Sequence, residues 1–223
     1  MTVRAVRSFA RTEGRLSASQ QAALVEFSHL VVTPTSGILT AVDPDFRVDT
    51  VFDDDAAGLV LEVGSGDGEQ ASAYAAAHPS VNVIAIEVYR EGIAAGLRAA
   101  GHLANVRFVR ADAAAVLATA TPPGSVAEVW TYFPDPWRKA RHAKRRIVND
   151  SFAADVARAL APGGVWRLAT DWPDYAEQIA DVLARSPLRA LPANRAERIV
   201  TKYERKAIAA GREIHEFAAV NDA

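Results

Sequence analysis

The 223-residue chain is 50% hydrophobic and 23% charged, a balance that fits one long α/β domain with an extension and excludes disorder over most of its length. Zero cysteines exclude disulfides, thiolate metal sites and cysteine nucleophiles, and the five histidines (His29, His78, His102, His142, His215) form no pair at metal-ligand spacing, so no metal is expected. A formal net charge of −2 does not advertise a nucleic-acid partner, and any such partner must be held by a local patch.

No window approaches the ~20 uninterrupted apolar residues needed to cross a bilayer, and residues 1–15 lack the apolar centre of a signal peptide. The chain therefore reads as cytoplasmic, with no membrane partner. Residues 1–52 read as a polar extension with turn signals at Pro34, Gly37 and Asp43-Pro44. Arg4, Arg7, Arg11 and Arg15 recur in it at intervals of three and four, which on a helix would align four guanidinium groups. With little apolar material opposing them, residues 1–15 are expected to be mobile until RNA is bound, the alternative being a solubilising tail.

Residues 53–223 read as the second unit. Short β-rich runs at 58–63, 82–87, 106–109, 126–133 and 164–170 alternate with helical stretches at 67–78, 90–101, 146–160 and 175–184. This is the signature of βαβ units and a parallel sheet. Two further β-like runs, 198–203 and 213–219, are expected to pair antiparallel at one edge. The predicted fold is α/β and Rossmann-like, with a seven-stranded, mostly parallel sheet.

The first run empties into Leu61-Glu62-Val63-Gly64-Ser65-Gly66-Asp67-Gly68, a turn that lets backbone approach a ligand at a helix N-terminus. A dinucleotide loop wants Gly-x-Gly-x-x-Gly, but the third place holds Glu69, and no Gly-Lys-Ser/Thr appears. The acidic residue before the first glycine, Glu62, would repel a pyrophosphate but can meet a sulfonium or ammonium group. That favours S-adenosylmethionine over NAD or ATP. Glu87, ending the second run, is placed to accept ribose hydroxyls, and Asp112, after the third, to accept the adenine amine; the bland reading of both is a helix cap.

After the fourth run comes Phe133-Pro134-Asp135-Pro136-Trp137, followed by a segment in which six of nine residues from 138 to 146 are Lys or Arg. The prolines hold Asp135 rigidly at the end of a strand that faces the ligand crevice. Six cations at a helix start would oppose the macrodipole, an arrangement that suggests a phosphate backbone as ligand. Trp137 either stacks on a base or packs against the core.

Phe133-Pro134-Asp135-Pro136-Trp137 with Lys139, Arg141-His142 and Lys144-Arg145-Arg146 resembles the bacterial tRNA (guanine-N7-)-methyltransferases, as do Ala169-Thr170-Asp171-Trp172 with Tyr175-Ala176 and Thr201-Lys202-Tyr203-Glu204. Leu61-Glu62-Val63-Gly64, Ile86-Glu87-Val88, Arg7-Ser8-Phe9 and Gly14-Arg15-Leu16 fit the same family. Arg205-Lys206-Ala207 and Gly211-Arg212 depart from its Arg-Gly and Gly-His pairs. The resemblance implies a class I methyltransferase that moves a methyl group from S-adenosylmethionine to N7 of the guanine at position 46 in the tRNA variable loop. It implies Glu62, Gly64, Gly66, Glu87, Asp112 and Asp135 on the cofactor side, with Asp135 catalytic. It places Lys139, Asp171 and Thr201, Lys202, Tyr203 and Glu204 around the nucleoside, and Arg141, His142, Lys144, Arg145 and Arg146 on RNA. Other readings are a methyltransferase for another RNA, a protein or a small molecule, and a non-enzymatic RNA-binding module. Monomer and homodimer both stay open.

Overall fold

A computed structural model describes residues 8–9, 14–53 and 56–223. Their strands are β1 (Val31–Val32), β2 (Gly58–Val63), β3 (Val81–Ile86), β4 (Val106–Val109), β5 (Val126–Tyr132), β6 (Leu160–Thr170), β7 (Arg189–Leu191) and β8 (His215–Val220). The α-helices are α1 (Ala18–Glu26), α2 (Glu69–Ala77), α3 (Arg90–Ala100), α4 (Ala113–Ala120), α5 (Asp150–Ala159), α6 (Pro173–Arg185) and α7 (Lys202–Ala209). The strands form one sheet in the order β1-β4-β3-β2-β5-β6-β8-β7. Pairings from β1 to β6 are parallel, and β8 runs antiparallel to both β6 and β7.

Strands β2 and β3 are apolar on both faces because helices cover both sides of a parallel sheet. Leu61, Val63, Ile84 and Ile86 pack on one side with Phe152, Trp166 and Tyr175, and Val60, Val83 and Ala85 on the other with Leu97, Phe108 and Trp130. The chain direction across the sheet reverses between β2 and β5, which opens a crevice beyond the carboxyl ends of those strands. Their ends carry the glycine turn and the Phe133–Trp137 segment.

Several expectations are corrected. Among the described residues the sheet has eight strands, because the extension supplies β1 at one edge and β7 is too short and exposed to show a hydrophobic period. Residues 14–53 are built into the fold: α1 packs on α3, its start fixed by a Ser17–Gln20 capping box, and Ala23, Leu30 and Val48 are buried. The predicted strand at 198–203 instead leads into α7, whose Lys-Tyr-Glu-Arg-Lys-Ala run is made of helix formers except for its tyrosine. Helix α4 has no counterpart among the expected elements, since its Ala-Ala-Ala-Val-Leu-Ala-Thr-Ala run carries almost no polar face to set a period.

The helix expected at 146–160 begins at Asp150, where the Asn149 side chain accepts the Phe152 N–H at 3.1 Å. The cations therefore do not crowd the positive end of that helix; residues 140–145 form a separate 3-10 turn. Of the arginine series, Arg4, Arg7 and Arg11 lie outside the described residues, as does most of the segment expected to be mobile, while Arg15 is exposed.

Candidate active site

The crevice holds a cleft of about 770 Å³ including its open mouth, a size usual for small-molecule sites. Its walls come from the ends of four strands: Val63 and Gly64 after β2, Ile86 and Glu87 after β3, Ala111 and Asp112 after β4, and Phe133, Pro134 and Asp135 after β5. Tyr203 of α7 and the Ser8-Phe9 pair complete it. Three of the four acids expected on the cofactor side thus converge on one cavity, although they are spread over 49 positions from Glu87 to Asp135.

Glu87 is buried and takes three backbone N–H groups: Gly66 on Oε2 at 2.8 Å, and Val88 and Tyr89 on Oε1 at 2.7 and 3.0 Å. Gly66 has φ +59°, and a Cβ there would meet the Tyr203 ring at 2.9 Å, so a glycine is required twice over. Burial raises the Glu87 pKa above the ordinary carboxylate value, and the three N–H groups oppose the rise. Asp112 caps α4 by accepting the Ala114 N–H at 3.3 Å and also lines the cleft. Asp112 thus caps a helix and lines the cleft at once, whereas Glu87 lines the cleft and caps no helix, since α3, whose N-cap is Tyr89, has no side-chain cap.

Glu62 lies one layer behind, buried under the turn, with Oε2 accepting the Ala71 N–H of α2 at 3.1 Å. Burial, reinforced by the nearby Glu87 and Asp67 charges, pushes its carboxyl up to about 8, with the Ala71 bond opposing. An unfolded glutamate titrates near 4.5, so folding takes up a proton between these two values. Stability from this group is complete below the lower value and lost as pH rises through the upper one. Glu62→Gln, which mimics the protonated acid, is therefore expected to raise the melting temperature of the cofactor-free protein at pH 8.5 by at least about 2 °C. The gain should shrink toward pH 4.5; scanning calorimetry showing no gain at pH 8.5 would refute the burial argument.

The Phe133–Trp137 segment is strained. Phe133 and Trp137 both hold left-handed backbone, at φ +50° and +44°, which costs roughly 1–3 kcal/mol per residue and persists only under outside restraint. The restraints are visible. Phe133 N–H donates to the Ala169 carbonyl at 2.8 Å, the Trp137 indole to the Ser8 carbonyl at 3.0 Å, and Arg146 Nε to the Pro136 carbonyl at 2.8 Å. Arg145 lays its guanidinium 3.6 Å from the centroid of Trp137 and donates to the Phe9 carbonyl. Trp137 thus packs against residues of the same chain. Partial loss of hydration raises the Asp135 pKa, and Arg145 opposes that rise.

The basic segment divides into two parts. Arg138, Lys139, Arg141 and Lys144 are exposed, whereas Arg146 is 5% exposed. Its guanidinium donates to Asp174 at 2.7 Å and to Gln178 at 3.0 Å, and lies over the Tyr175 ring. This departs from the expected RNA contact: Arg146 ties the strained segment to α6. Arg146→Ala is expected to destabilise the fold by about 2 kcal/mol while leaving the salt dependence of tRNA binding unchanged. A chemical denaturation curve and a salt titration check the two halves.

Asp171 accepts from Arg212 at 2.6 Å, so the departure at Gly211-Arg212 lies against an expected nucleoside ligand. Thr201 is buried, and its hydroxyl has no hydrogen-bond partner among the described residues. Glu204 is 1% exposed. Arg195 bonds both its oxygens at 2.6 and 2.8 Å, and Arg198 reaches one of them at 2.6 Å. These pairs hold its carboxyl below the ordinary value against the opposing effect of burial. Sequence reasoning did not find Arg195 and Arg198, because nothing in their spacing reports a partner that folding alone brings near.

A family model described as a putative methyltransferase matches residues 56–217. The tRNA (guanine-N(7)-)-methyltransferase of Nocardioides sp. is 45% identical over 220 residues, covering 97% of this chain and 87% of that protein. The enzyme of the same name from Alkalilimnicola ehrlichii is 41% identical, covering 96% and 92%. The chain belongs to the tRNA (guanine-N7-)-methyltransferase family. Its fold is also that of a solved 16S rRNA methyltransferase, KamB, at a TM-score of 0.54 and 16% identity over 75% of this chain and 89% of that one. Membership makes S-adenosylmethionine the methyl donor, and the residues lining the cleft fit a ligand of that chemistry. Carboxylates end adjacent strands beside a glycine turn, and a further acid, Glu62, is buried close behind them.

Proposed function

We propose that the chain transfers the methyl group of S-adenosylmethionine to N7 of the guanine at position 46 in the variable loop of tRNA. The observation that carries this reading is one juxtaposition. The cleft gathers Glu87, Asp112 and Asp135, and the exposed cations Lys139, Arg141 and Lys144 follow the last of these directly in the chain. A small-molecule enzyme has no use for those cations, and a pure RNA-binding module has none for the three carboxylates.

When bound, S-adenosylmethionine supplies a methyl group activated by its sulfonium. Glu87 would accept the ribose hydroxyls and Asp112 the adenine amine, with Glu62 buried behind the glycine turn. Guanine N7 has a lone pair and no proton, so the protein needs no general base; it needs alignment and complementary charge. Asp135 faces the base as it becomes cationic. Asp171, held by Arg212, and the Thr201 hydroxyl meet the nucleoside, with Lys139 beside them and Tyr203 against the cleft wall. Arg141, His142 and Lys144 meet phosphates; slight desolvation and the surrounding cations Arg141, Arg145, Lys139 and Lys144 keep the His142 pKa below its ordinary value. The base is drawn outward to reach the cleft. No helix among the described residues is long and apolar enough to cross a membrane.

The test is mass spectrometry of nucleosides from tRNA incubated with protein and donor, with fragment mapping of the modified base. N7-methylguanosine confined to position 46 is the expected result. Methylation elsewhere, or none, overturns the position or the activity.

A further inference from the structure

The contacts of α7 with the glycine turn assign Lys202 work other than gripping RNA. Its ammonium lies 2.6 Å from the Asp67 carboxylate, and its backbone N–H donates to Glu69 at 2.6 Å. Arg205, nearly one turn on, pairs with the same Glu69 at 2.7 Å. Between them Tyr203 places its ring on Gly66, so closely that no side chain fits there. Ahead of the helix, Gln70 accepts the Ile199 N–H at 2.8 Å and donates to the Glu197 carbonyl at 3.4 Å.

A set of ties therefore runs from residues 197–205 to residues 66–70, the turn itself and the first turn of α2. Gly66 in turn donates its N–H to Glu87, so the Tyr203 ring stands one residue from a carboxylate of the cofactor cleft. The Lys202 and Asp67 side chains are 33% and 21% exposed. Such a pair contributes little alone, but here it closes a network whose other members hold the same two segments.

We infer that Lys202 is a positioning residue. Its ion pair with Asp67, together with the seat of Tyr203 on Gly66, fastens α7 to the glycine turn, so that filling the cofactor cleft orders the helix bordering the nucleoside. The inference rests on the reading of α7 as the substrate-side helix. Linkage of this kind is reciprocal: a donor that tightens the turn favours tRNA binding, and bound tRNA favours the donor. A phosphate ligand would behave differently, because it enters the salt dependence of RNA binding and leaves the cofactor untouched.

The experiment is a double-mutant cycle on the full chain with Lys202→Met, Asp67→Asn and the pair combined, and Lys202→Arg as the conservative variant. Calorimetry gives the S-adenosylhomocysteine dissociation constant without tRNA; a salt series gives tRNA affinity; single-turnover rates give kcat and KM separately. Each single change is expected to weaken S-adenosylhomocysteine about fivefold, and the double change no more than the larger single. Lys202→Arg should keep most of the affinity. The single-turnover rate of Lys202→Met should fall, while the slope of log affinity against log salt for tRNA stays at the wild-type value. Unaltered cofactor affinity in Lys202→Met with a salt slope smaller by about one unit would make Lys202 a phosphate ligand and overturn the inference. Additive losses in the cycle would overturn it as well. The calorimetric arm uses no tRNA, so failure of the wild-type protein to methylate tRNA would remove the functional reading while the coupling between Lys202 and Asp67 stayed measurable.

Discussion

Replacing Asp135 by alanine is expected to cut single-turnover methylation by roughly 10²–10³-fold while tRNA affinity changes by no more than about threefold. Asp135 sits at the centre of the strained segment: left-handed residues bracket it at Phe133 and Trp137, and prolines flank it. It lines the cleft with Glu87 and Asp112. A carboxylate in that place matters most as positive charge moves onto the base, so its loss should appear in the rate and much less in binding. Asp135→Asn keeps the shape without the charge and should recover little. Rates near wild type for either variant would take Asp135 out of the mechanism.

Glu87→Ala is the second large effect, and it belongs to the cofactor. The Glu87 carboxylate is buried, organises the N–H groups of Gly66, Val88 and Tyr89, and is the residue at the end of β3 that faces the cleft. Charge-assisted hydrogen bonds to two hydroxyls are worth about 1.5–3 kcal/mol each. The dissociation constant for S-adenosylhomocysteine should therefore rise by roughly 10²–10⁴-fold, with tRNA binding retained. Wild-type binding should also weaken toward acid pH, because burial raises the Glu87 pKa and protonation removes the acceptor. Calorimetric titration across pH measures both. A dissociation constant that Glu87→Ala leaves in place would reduce Glu87 to a cap for the turn.

The two variants separate what Arg146 and Lys202 blur. Both of these cations lie in motifs that read as ligand-binding, and both are engaged with the protein: Arg146 with Pro136, Asp174 and Gln178, and Lys202 with Asp67. A basic run in sequence states only that charge is abundant. Which of its members face outward depends on carboxylates supplied by α6 and by the glycine turn, tens of residues away.

Much of the site was nonetheless legible in one dimension. The short β-rich apolar runs at 58–63 and 82–87, the helix between them and the Glu-x-Gly-x-Gly-x-Gly turn follow from local rules, because β propensity, helix spacing and glycine conformation are properties of short segments. Those rules placed Glu62, Glu87, Asp112 and Asp135 at or next to strand ends, and a doubly wound sheet brings such ends to one crevice whatever the details of the chain. The carboxylate set of the cleft was therefore determined by the sequence itself. What only the tertiary structure decided was pairing over distance. The edge strand β7, the helix α1 seated on α3, the tie of Gln70 to Ile199 and the hold of Arg212 on Asp171 all depend on neighbours remote in the chain. An arginine carries the same charge whether it meets a phosphate or a buried glutamate, and only folding determines which of the two is within reach.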